Sequence, residues 1–320
     1  MLDIYSADHS EPGERGHVAI LMCTYRGAKY LRRQLETVFS QRHANWTLYA
    51  SDDGSDDDTL AILDEFRKKP GGHRIRVFDG PRRGFACNFF SLIARPEVSA
   101  DFYAFTDQDD EWDDEKLTRA VNKLKLFPAD APMLYASRSE LVDQHGGHIG
   151  YSRHYQKPPQ FSNALVQNMA SGNTMVLNHA AIELIRQAGT DIDVSAHDWW
   201  AYLIVTGSGG LMVFDQYPTI RYRQHGHNLY GSNVSLKAMW TRVAKLFAGD
   251  FRAWNDRNLA ALRASSALLH EDSRRALELF ERARTGSAVE RLWGLMRAGV
   301  YRQTWDGQLG LAVAAITKRI

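Results

Sequence analysis

Three carboxylates crowd one short segment of the sequence. The run Asp107-Gln108-Asp109-Asp110 follows an apolar stretch that predicts a buried strand. Carboxylates this close repel one another unless they are protonated, solvated or bound to a cation. Oxygen ligands of this kind suit a hard divalent ion such as Mg²⁺ or Mn²⁺. The run therefore predicts a metal site, with a solvated turn and a helix cap as the alternative.

A second acidic segment, at residues 52–59, combines two functions that position separates. Ser55 and Asp58 have the spacing of a capping box, so the later carboxylates are expected to begin a helix. Asp52 and Asp53 precede that cap and are not explained by it. A carboxylate at a strand end can accept the imide N–H of uracil or thymine, which adenine lacks. This pair is therefore a candidate for reading a pyrimidine base.

Asp198 lies between His197 and the pair Trp199-Trp200. Two indole rings lower the local dielectric and raise the pKa of a neighbouring carboxyl toward the range of a general base. The alternative is a helix-start Asp beside two core aromatics. The spacing of His225 and His227 predicts that both lie on one side of an extended segment, so either could supply an imidazole to a metal. A surface histidine in a polar loop is the simpler interpretation of each.

Alternating strands and helices must position these groups. Short apolar runs predict strands, and amphipathic stretches between them predict helices. The predicted strands lie at residues 17–23, 46–51, 74–78, 101–105, 133–137, 173–177, 213–214 and 219–223. A helix is predicted at 197–205, and the chain from 236 onward is helical in pattern. This alternation indicates an α/β layered sheet.

Polar side chains follow three of the predicted strands. Thr24 and Tyr25 follow the first, Asp52 and Asp53 the second, and the run from Asp107 the strand at 101–105. Ligands of such sheets gather beyond the carboxyl ends of the strands. We therefore expect these side chains to converge on one crevice, although strand-end loops are commonly polar for other reasons.

The bulk composition is that of a soluble globular protein. The chain has 320 residues, 44% apolar and 24% charged, enough for a large core. Its two cysteines, Cys23 and Cys87, cannot build a disulfide framework or a zinc finger. The N-terminus is polar and acidic, unlike a secretory signal, and no apolar run reaches the length of a membrane span. We therefore expect a cytoplasmic protein.

Three regions are predicted along the chain: a flexible N-terminal segment (1–16), a catalytic α/β domain (17–235) and a C-terminal helical region (236–320). The last region carries 15 Lys/Arg against 8 Asp/Glu, whereas the remainder carries 24 against 30. This basic region could contact an anionic membrane surface through residues 240–247 and later apolar segments, or pack on the catalytic domain or a second subunit. Without an RNA-reading motif, nucleic acid is not expected.

Taken in order, the motifs resemble those of the family 2 glycosyltransferases, especially the rhamnosyltransferase-like members. They are Thr24-Tyr25, Asp52-Asp53-Gly54-Ser55, the segment 84–88, Asp107-Gln108-Asp109-Asp110-Glu111-Trp112 and His197-Asp198-Trp199-Trp200. The resemblance covers residues 18–228. It implies a GT-A fold with a mixed, Rossmann-like central sheet flanked by helices. It also implies a nucleotide-sugar donor, a divalent metal and inversion at the anomeric carbon.

The resemblance implies donor-binding roles for five residues near the first strand ends. Thr24 and Tyr25 would line the base and ribose pocket. Asp53, with Asp52 beside it, would read the pyrimidine. Asn88 would also contribute to donor binding.

Five further residues would carry the chemistry in such an enzyme. Asp107 would face the ribose or the sugar, and Asp109 would bind the metal that bridges the donor diphosphate. Asp198 would take the proton from the acceptor hydroxyl. Arg223 and His225 match the end of the site, where they would clamp phosphate or complete the metal shell.

The implied reaction moves a single sugar. Processive members of the family carry a Gln-x-x-Arg-Trp element and membrane spans, whereas this chain has Tyr222-Arg223-Gln224-His225 and no apolar span. The resemblance favours L-rhamnose from dTDP-L-rhamnose, with UDP-hexoses next. The acceptor would be a lipid-linked or oligosaccharide precursor of a surface glycan, and a homo-oligomer is a further option.

Other classes of protein fit the sequence less well. An Asp-x-Asp phosphatase would need Thr or Val where Glu111 stands, and a dinucleotide-dependent oxidoreductase would need a Gly-x-Gly-x-x-Gly turn after the first strand. A sugar-nucleotide pyrophosphorylase would need a glycine-rich first loop. A non-catalytic nucleotide-sugar-binding or scaffolding protein of the same fold is the remaining alternative. Against it, Asp109 and Asp198 are both present.

Overall fold

The computed structural model describes residues 16–224 and 250–320. Within them, nine strands form one sheet: β1 Val18–Thr24, β2 Trp46–Asp52, β3 Ile75–Asp79, β4 Phe102–Thr106, β5 Glu111–Trp112, β6 Met133–Val142, β7 His148–Tyr151, β8 Val176–Asn178 and β9 Leu211–Arg223. Their order is β3-β2-β1-β4-β8-β6-β9-β5, and β7 pairs with β6. Parallel and antiparallel pairs both occur, so the predicted mixed sheet is confirmed.

Eleven α-helices accompany the sheet in the described residues. They are α1 Ala28–Phe39, α2 Thr59–Arg67, α3 Phe85–Ile93, α4 Lys116–Leu124, α5 Phe161–Ala164, α6 His179–Ala188, α7 His197–Gly207, α8 Asp250–Ala264, α9 Glu271–Ala283, α10 Ala288–Arg297 and α11 Trp305–Ile316. Helix α7 matches the helix predicted at 197–205. The C-terminal helices confirm the helical pattern where the chain is described.

Two details of the predicted elements were wrong. The strand expected at 173–177 begins only at Val176, because Gly172–Thr174 forms a 3₁₀ turn. The capping box of Ser55 and Asp58 does not form, since Ser55 instead hydrogen-bonds to Asp52 and to the backbone of Arg26. Asp57 accepts the backbone N–H of Thr59 at the start of α2.

The strands β3, β2, β1 and β4 run parallel. The first six residues of β1 are apolar, and the strand is buried on both faces by flanking helices, as parallel strands usually are. Thr24 pairs with Asp52, and Met22 pairs with Thr106. The carboxyl ends of β1, β2 and β4 therefore lie at one edge of the sheet, where their loops meet as predicted.

The two faces of the sheet carry separate apolar clusters. Helices α1, α2 and α4 contribute Leu35, Leu63 and Val121 to one cluster. Helices α3, α6 and α7 pack on the other face, where Phe89 and Trp200 are buried. The acidic run after β4 lies at the edge between these layers, so residues from both faces can reach it.

The C-terminal helices pack on the rest of the chain. Leu262, Phe280 and Leu311 are buried in the same cluster as Trp200. The Asn163 amide also donates to the carbonyl of Tyr301 at 2.9 Å. The described C-terminal helices therefore pack against α5 and α7 of the preceding part of the chain. None of the helices in the described residues is both long and apolar enough to cross a bilayer.

The predicted regional boundaries lie largely outside the described residues. Of the N-terminal segment, only Gly16 is described, and the boundary at 235/236 and the segment 240–247 fall between the two described ranges. The division into three regions therefore stays a prediction.

Candidate active site

The end of β2 is fastened to the end of β1 through Asp52. This carboxylate, 4% exposed, accepts hydrogen bonds from Thr24 Oγ1 at 2.8 Å, Ser55 Oγ at 2.6 Å and Ser55 N at 2.7 Å. The backbone N–H of Asp53 also donates to the carbonyl of Thr24 at 2.8 Å. Hydrogen bonds to a buried carboxylate stabilise its charge and fix its orientation. Asp52 therefore shapes the loop.

Asp53 points toward the loop that precedes α3. Its two carboxylate oxygens accept the backbone N–H groups of Arg82 at 2.6 Å and Gly84 at 2.8 Å. Asn88, buried on α3, donates to the carbonyl of Ser51 at 2.9 Å. An open cavity of about 200 Å³ lies at this edge, lined by Asp52, Gly54, Ser55, Leu60, Asp79 and Arg82. Of the predicted base-reading pair, Asp52 lines this cavity.

Gln108 links the first loop to the acidic run. Its amide accepts from the backbone N–H of Tyr25 and donates to the carbonyl of the same residue, both at 2.9 Å. The Tyr25 side chain is 50% exposed. Any Cβ at Gly27 would lie 2.2 Å from Gln108 Oε1, so only glycine leaves room for this contact. Sequence reasoning missed Gln108.

The acidic run, residues 107–110, concentrates charge in a poorly solvated place. Burial, and then the charges of Asp109 and Asp198, raise the pKa of the Asp107 carboxyl to about 7. Asp110 is 1% exposed, and burial together with Asp109 and Asp107 raises its pKa well above the usual range. The run is therefore electrostatically strained, as expected for a site that accepts a cation.

Glu111 differs from its acidic neighbours because three arginines surround it. Arg223 donates to its carboxylate at 2.7 Å, Arg221 at 3.1 Å and Arg33 at 3.2 Å. Burial opposes ionisation of Glu111, but these cations outweigh it and lower the pKa. Arg223 is itself 5% exposed, and its Nε donates to the carbonyl of Asp109 at 3.1 Å. The observed contacts of Arg223 hold the acidic run, and its predicted phosphate contact stays a prediction.

Asp198 lies at the start of α7, close to the acidic run. Its carboxylate accepts the backbone N–H groups of Trp199 at 2.7 Å and Gly172 at 3.0 Å. Burial raises its pKa in spite of these hydrogen bonds. Trp199 and Trp200 are buried beside it, as the sequence suggested. A carboxylate with a raised pKa has the basicity that a general base requires.

His197 lies in an aromatic cage rather than in the site. Its ring stacks on Phe89 with centroids 3.8 Å apart, and the edges of Phe85 and Phe105 close the cage. Burial lowers the pKa of His197 to about 3, so the imidazole is neutral near pH 7. Its role is to pack the start of α7.

Comparison with known proteins identifies the family of this chain. Residues 19–184 match the family model described as Glycosyl transferase family 2, which is more than half of the chain. The chain belongs to this family. The resemblance seen in the sequence is thereby confirmed, and the protein is a glycosyltransferase.

Similar proteins support the same family. The chain is 29% identical over 235 residues to the dTDP-rhamnosyl transferase RfbG of Shigella flexneri, covering 69% of this chain and 78% of that protein. The fold resembles a mannosyltransferase from Pyrobaculum calidifontis solved with GDP-Man and Mn²⁺ (17% identity, 96% and 88% coverage, TM-score 0.51). It also resembles S. aureus TarS 1-349 solved with UDP-GlcNAc (15% identity, 89% and 93% coverage, TM-score 0.52). The GT-A fold is confirmed.

One further residue of this glycosyltransferase, Lys116, was missed by sequence reasoning. Lys116 is fully buried, donates to the carbonyl of Asn173 at 2.7 Å and lies 4.2 Å from the ring centroid of Trp112. Burial lowers its pKa to about 7, although the charges of Asp110 and Asp107 oppose the shift. A signal existed, because Lys116 shares the helical face of the apolar positions four and eight residues later, Ala120 and Leu124.

The carboxylates of this glycosyltransferase suit a metal ion that is held jointly by the protein and by phosphate oxygens. Within the described ranges, no group of three or more His, Cys, Asp or Glu is arranged to hold a metal by itself. Mg²⁺ is commonly held by one or two carboxylates, with phosphate oxygens and water completing its shell. Asp109, one of the two predicted ligands, fits that pattern. His225, the other predicted ligand, lies outside the described residues.

Proposed function

We propose that this glycosyltransferase moves one sugar, with inversion, from a nucleotide-sugar donor to an acceptor hydroxyl. One observation carries the proposal: the adjacent residues Gly172 and Asn173 donate hydrogen bonds to Asp198 at 3.0 Å and to Asp110 at 2.5 Å, so the candidate base lies beside the acidic run. A candidate general base and a candidate metal loop thus meet at the edge of the sheet where ligands gather. Donor and acceptor would react between them.

The donor base would enter the cavity beside Asp52 and Asp53. Backbone N–H groups orient the Asp53 carboxylate, yet each oxygen keeps a further lone pair for an imide N–H of uracil or thymine. Thr24 and Tyr25 would line the base and ribose pocket. Asn88 would support this pocket by donating a hydrogen bond to the backbone carbonyl of Ser51. Similarity to a dTDP-rhamnosyl transferase favours dTDP-L-rhamnose as donor, with UDP-sugars as the competitors.

Asp109 would hold Mg²⁺ or Mn²⁺ against the donor diphosphate, with Asp107 directed to the ribose or sugar. Bound there, the ion offsets the negative charge that grows on the leaving diphosphate. The mannosyltransferase relative was solved with Mn²⁺, which supports this assignment. Arg223 keeps the backbone of Asp109 in place through its Nε hydrogen bond.

Asp198 would act as the general base. The acceptor oxygen forms a bond to the anomeric carbon while the bond from that carbon to the diphosphate oxygen breaks. The hydroxyl proton passes to the Asp198 carboxylate. Attack opposite the leaving group inverts the anomeric configuration in one displacement, without a covalent enzyme intermediate. The hydrogen bonds from Gly172 and Trp199 hold the carboxylate in one orientation for this transfer.

The acceptor would be a lipid-linked or oligosaccharide precursor of a surface glycan, extended by one residue.

A saturation-transfer NMR panel of dTDP-L-rhamnose, UDP-glucose, UDP-GlcNAc and GDP-mannose, each with Mg²⁺, tests the donor. We expect the nucleotide-ring and sugar protons of dTDP-L-rhamnose to give stronger saturation-transfer signals than those of the other three nucleotide sugars. If no nucleotide sugar binds, and neither transfer nor slow hydrolysis occurs with Mg²⁺ or Mn²⁺, the proposal fails.

A cytoplasmic location at the inner face of the membrane would suit such an acceptor. Large apolar side chains are exposed on α10 and α11: Trp293 at 60%, Met296 at 76%, Trp305 at 80% and Leu309 at 59%. The Arg297 guanidinium lies 4.9 Å from the Trp293 ring centroid. Exposed indoles beside cations are typical of surfaces that enter an anionic lipid interface.

Vesicle sedimentation tests this contact. Wild type should sediment with vesicles containing anionic lipid and less with neutral ones, and Trp293→Ser with Trp305→Ser should abolish binding. Leu126→Ser is the control, because Leu126 is 76% exposed in the turn that follows α4. Unchanged sedimentation of the double variant, or a stable dimer in light scattering that buries this face, would contradict membrane contact.

A further inference from the structure

One short turn connects the two halves of the proposed site. Gly172 and Asn173 are adjacent in the 3₁₀ turn before β8. The backbone N–H of Gly172 donates to Asp198 at 3.0 Å, and the side-chain amide of Asn173 donates to Asp110 at 2.5 Å. The candidate base and the acidic run are therefore held by neighbouring residues of one rigid element.

The turn has little freedom to move. Lys116 donates to the carbonyl of Asn173 at 2.7 Å, and the Ser171 hydroxyl donates to the Asn173 side-chain oxygen at 2.7 Å. A Cβ at Gly172 would lie 2.9 Å from His197 Nε2 and 3.2 Å from Asp198 Cβ. Any side chain there would push α7 away from the turn, so the close approach depends on glycine.

Burial adds to this arrangement. Because Lys116 is fully buried and Asn173 is 2% exposed, neither can exchange its partner for water. The hydrogen bond from Lys116 therefore holds the backbone of Asn173, and the side chain of Asn173 holds Asp110.

We propose that Asn173 and Lys116 are positioning residues that fix the acidic run relative to Asp198. They act on the reaction through the groups they hold and do not touch the reacting atoms. The inference rests on the proposed function, because a fixed spacing matters only where base and donor act together. Misplacement of reacting groups by about 1 Å can cost about hundredfold in rate.

Asn173→Ala tests the proposal against Asn178→Ala as a matched control. Asn178 is 6% exposed, donates to the carbonyl of Ala131 at 2.7 Å and accepts from Met133 N at 2.9 Å, but lies at the far end of β8. We expect Asn173→Ala to lower kcat about 10- to 100-fold with the donor KM nearly unchanged. Asn178→Ala should lower the midpoint of thermal unfolding and leave kcat intact. Asn173→Ser serves if the alanine variant does not fold.

A double-mutant cycle supplies a measurement that needs no activity. Asn173→Ala, Asp110→Asn and the double variant are compared by their unfolding midpoints, and the double variant should lose less than the two single losses combined. Strict additivity, or an equal kcat loss in Asn178→Ala at the same folded fraction, would overturn the inference. If wild type transfers no sugar, the proposed function fails while the cycle still reports on the link.

Discussion

Two acidic segments lie at the same edge of the sheet, but their carboxylates have different environments. In the first segment, residues 52–59, Asp52, Asp53, Asp56 and Asp57 each accept hydrogen bonds at 3.1 Å or less from backbone N–H groups, hydroxyls or Arg26. In the second, the acidic run at 107–110, burial and mutual repulsion raise the pKa of Asp107 and Asp110.

The difference separates structural from reactive negative charge. A carboxylate that is fully hydrogen-bonded is already stabilised, and a cation gains little by approaching it. A carboxylate that is buried beside others gains stability when a divalent ion arrives. Acid content is similar in the two segments, and Asp110 also accepts hydrogen bonds from the Asn173 amide and the Arg223 backbone N–H, so burial and the closeness of like charges distinguish the second segment. Mutations that replace these carboxylates should therefore have opposite consequences.

The largest effect is expected at Asp198, which faces the acidic run and has no counterpart at the first segment. Asp198→Asn keeps the shape of the side chain and removes the base. Transfer should fall about 10²- to 10⁴-fold, while metal-dependent donor affinity stays close to that of wild type. Single-turnover kinetics and titration calorimetry with dTDP-L-rhamnose measure the two quantities. Equal losses of affinity and rate would contradict the assigned role.

Asp109→Asn should have the next largest effect, and a different one. The variant is expected to lose about hundredfold in donor affinity when Mg²⁺ or Mn²⁺ is present, with little change when the ion is chelated. Calorimetry with and without EDTA measures this difference. Asp56→Asn, which removes a carboxylate of the first segment paired to Arg26 in solvent, is the control. If both variants respond alike to the metal, the comparison of the two segments is wrong.

Stability should shift in opposite directions when a charge is removed from each segment. Asp52→Asn loses charge-assisted hydrogen bonds from Thr24 and Ser55, so the free energy of unfolding should fall by about 2–4 kcal/mol. Asp107→Asn relieves repulsion and should raise it, on the order of 1 kcal/mol without divalent cation. Urea denaturation in EDTA measures both. A loss of stability in Asp107→Asn would show that the acidic run is structural.

Much of this arrangement could be predicted from the sequence, because it depends on local pattern. Apolar runs followed by polar residues located β1, β2 and β4 and thus the strand-end loops. The motifs around Asp109 and Asp198 indicated the family. These features are set by residues close together in the chain, so no tertiary information was needed.

The contacts that divide the two segments could not be predicted, because their partners come from distant parts of the chain. Asp52 is satisfied by Thr24, 28 residues away, and Ser55 joins that network instead of capping α2. Arg223 lies 112 positions after Glu111 in the chain, yet the two side chains form a buried hydrogen bond. Only for Lys116 did the spacing of apolar residues along α4 carry a usable signal.

The last test concerns His197, the buried neighbour of Asp198. Both ring nitrogens of His197 lack a hydrogen-bond partner in the part of the chain that the structure describes, and burial lowers its pKa to about 3. Unfolding restores an imidazole pKa of about 6.5. Between these values the unfolded state binds more protons, so stability is complete above pH 6.5 and falls as the pH drops toward 3.

His197→Phe keeps an aromatic ring in the cage and removes this linkage. Between pH 6.5 and pH 4.5 wild type should lose up to about 2.7 kcal/mol more stability than the variant, because two pH units of unequal protonation correspond to that energy. Urea denaturation at several pH values measures the slope. Phe85→Leu alters the same cage without a titrating group and should retain the wild-type slope. If His197→Phe retains it as well, the imidazole binds a proton as readily in the folded as in the unfolded protein, and burial does not lower its pKa.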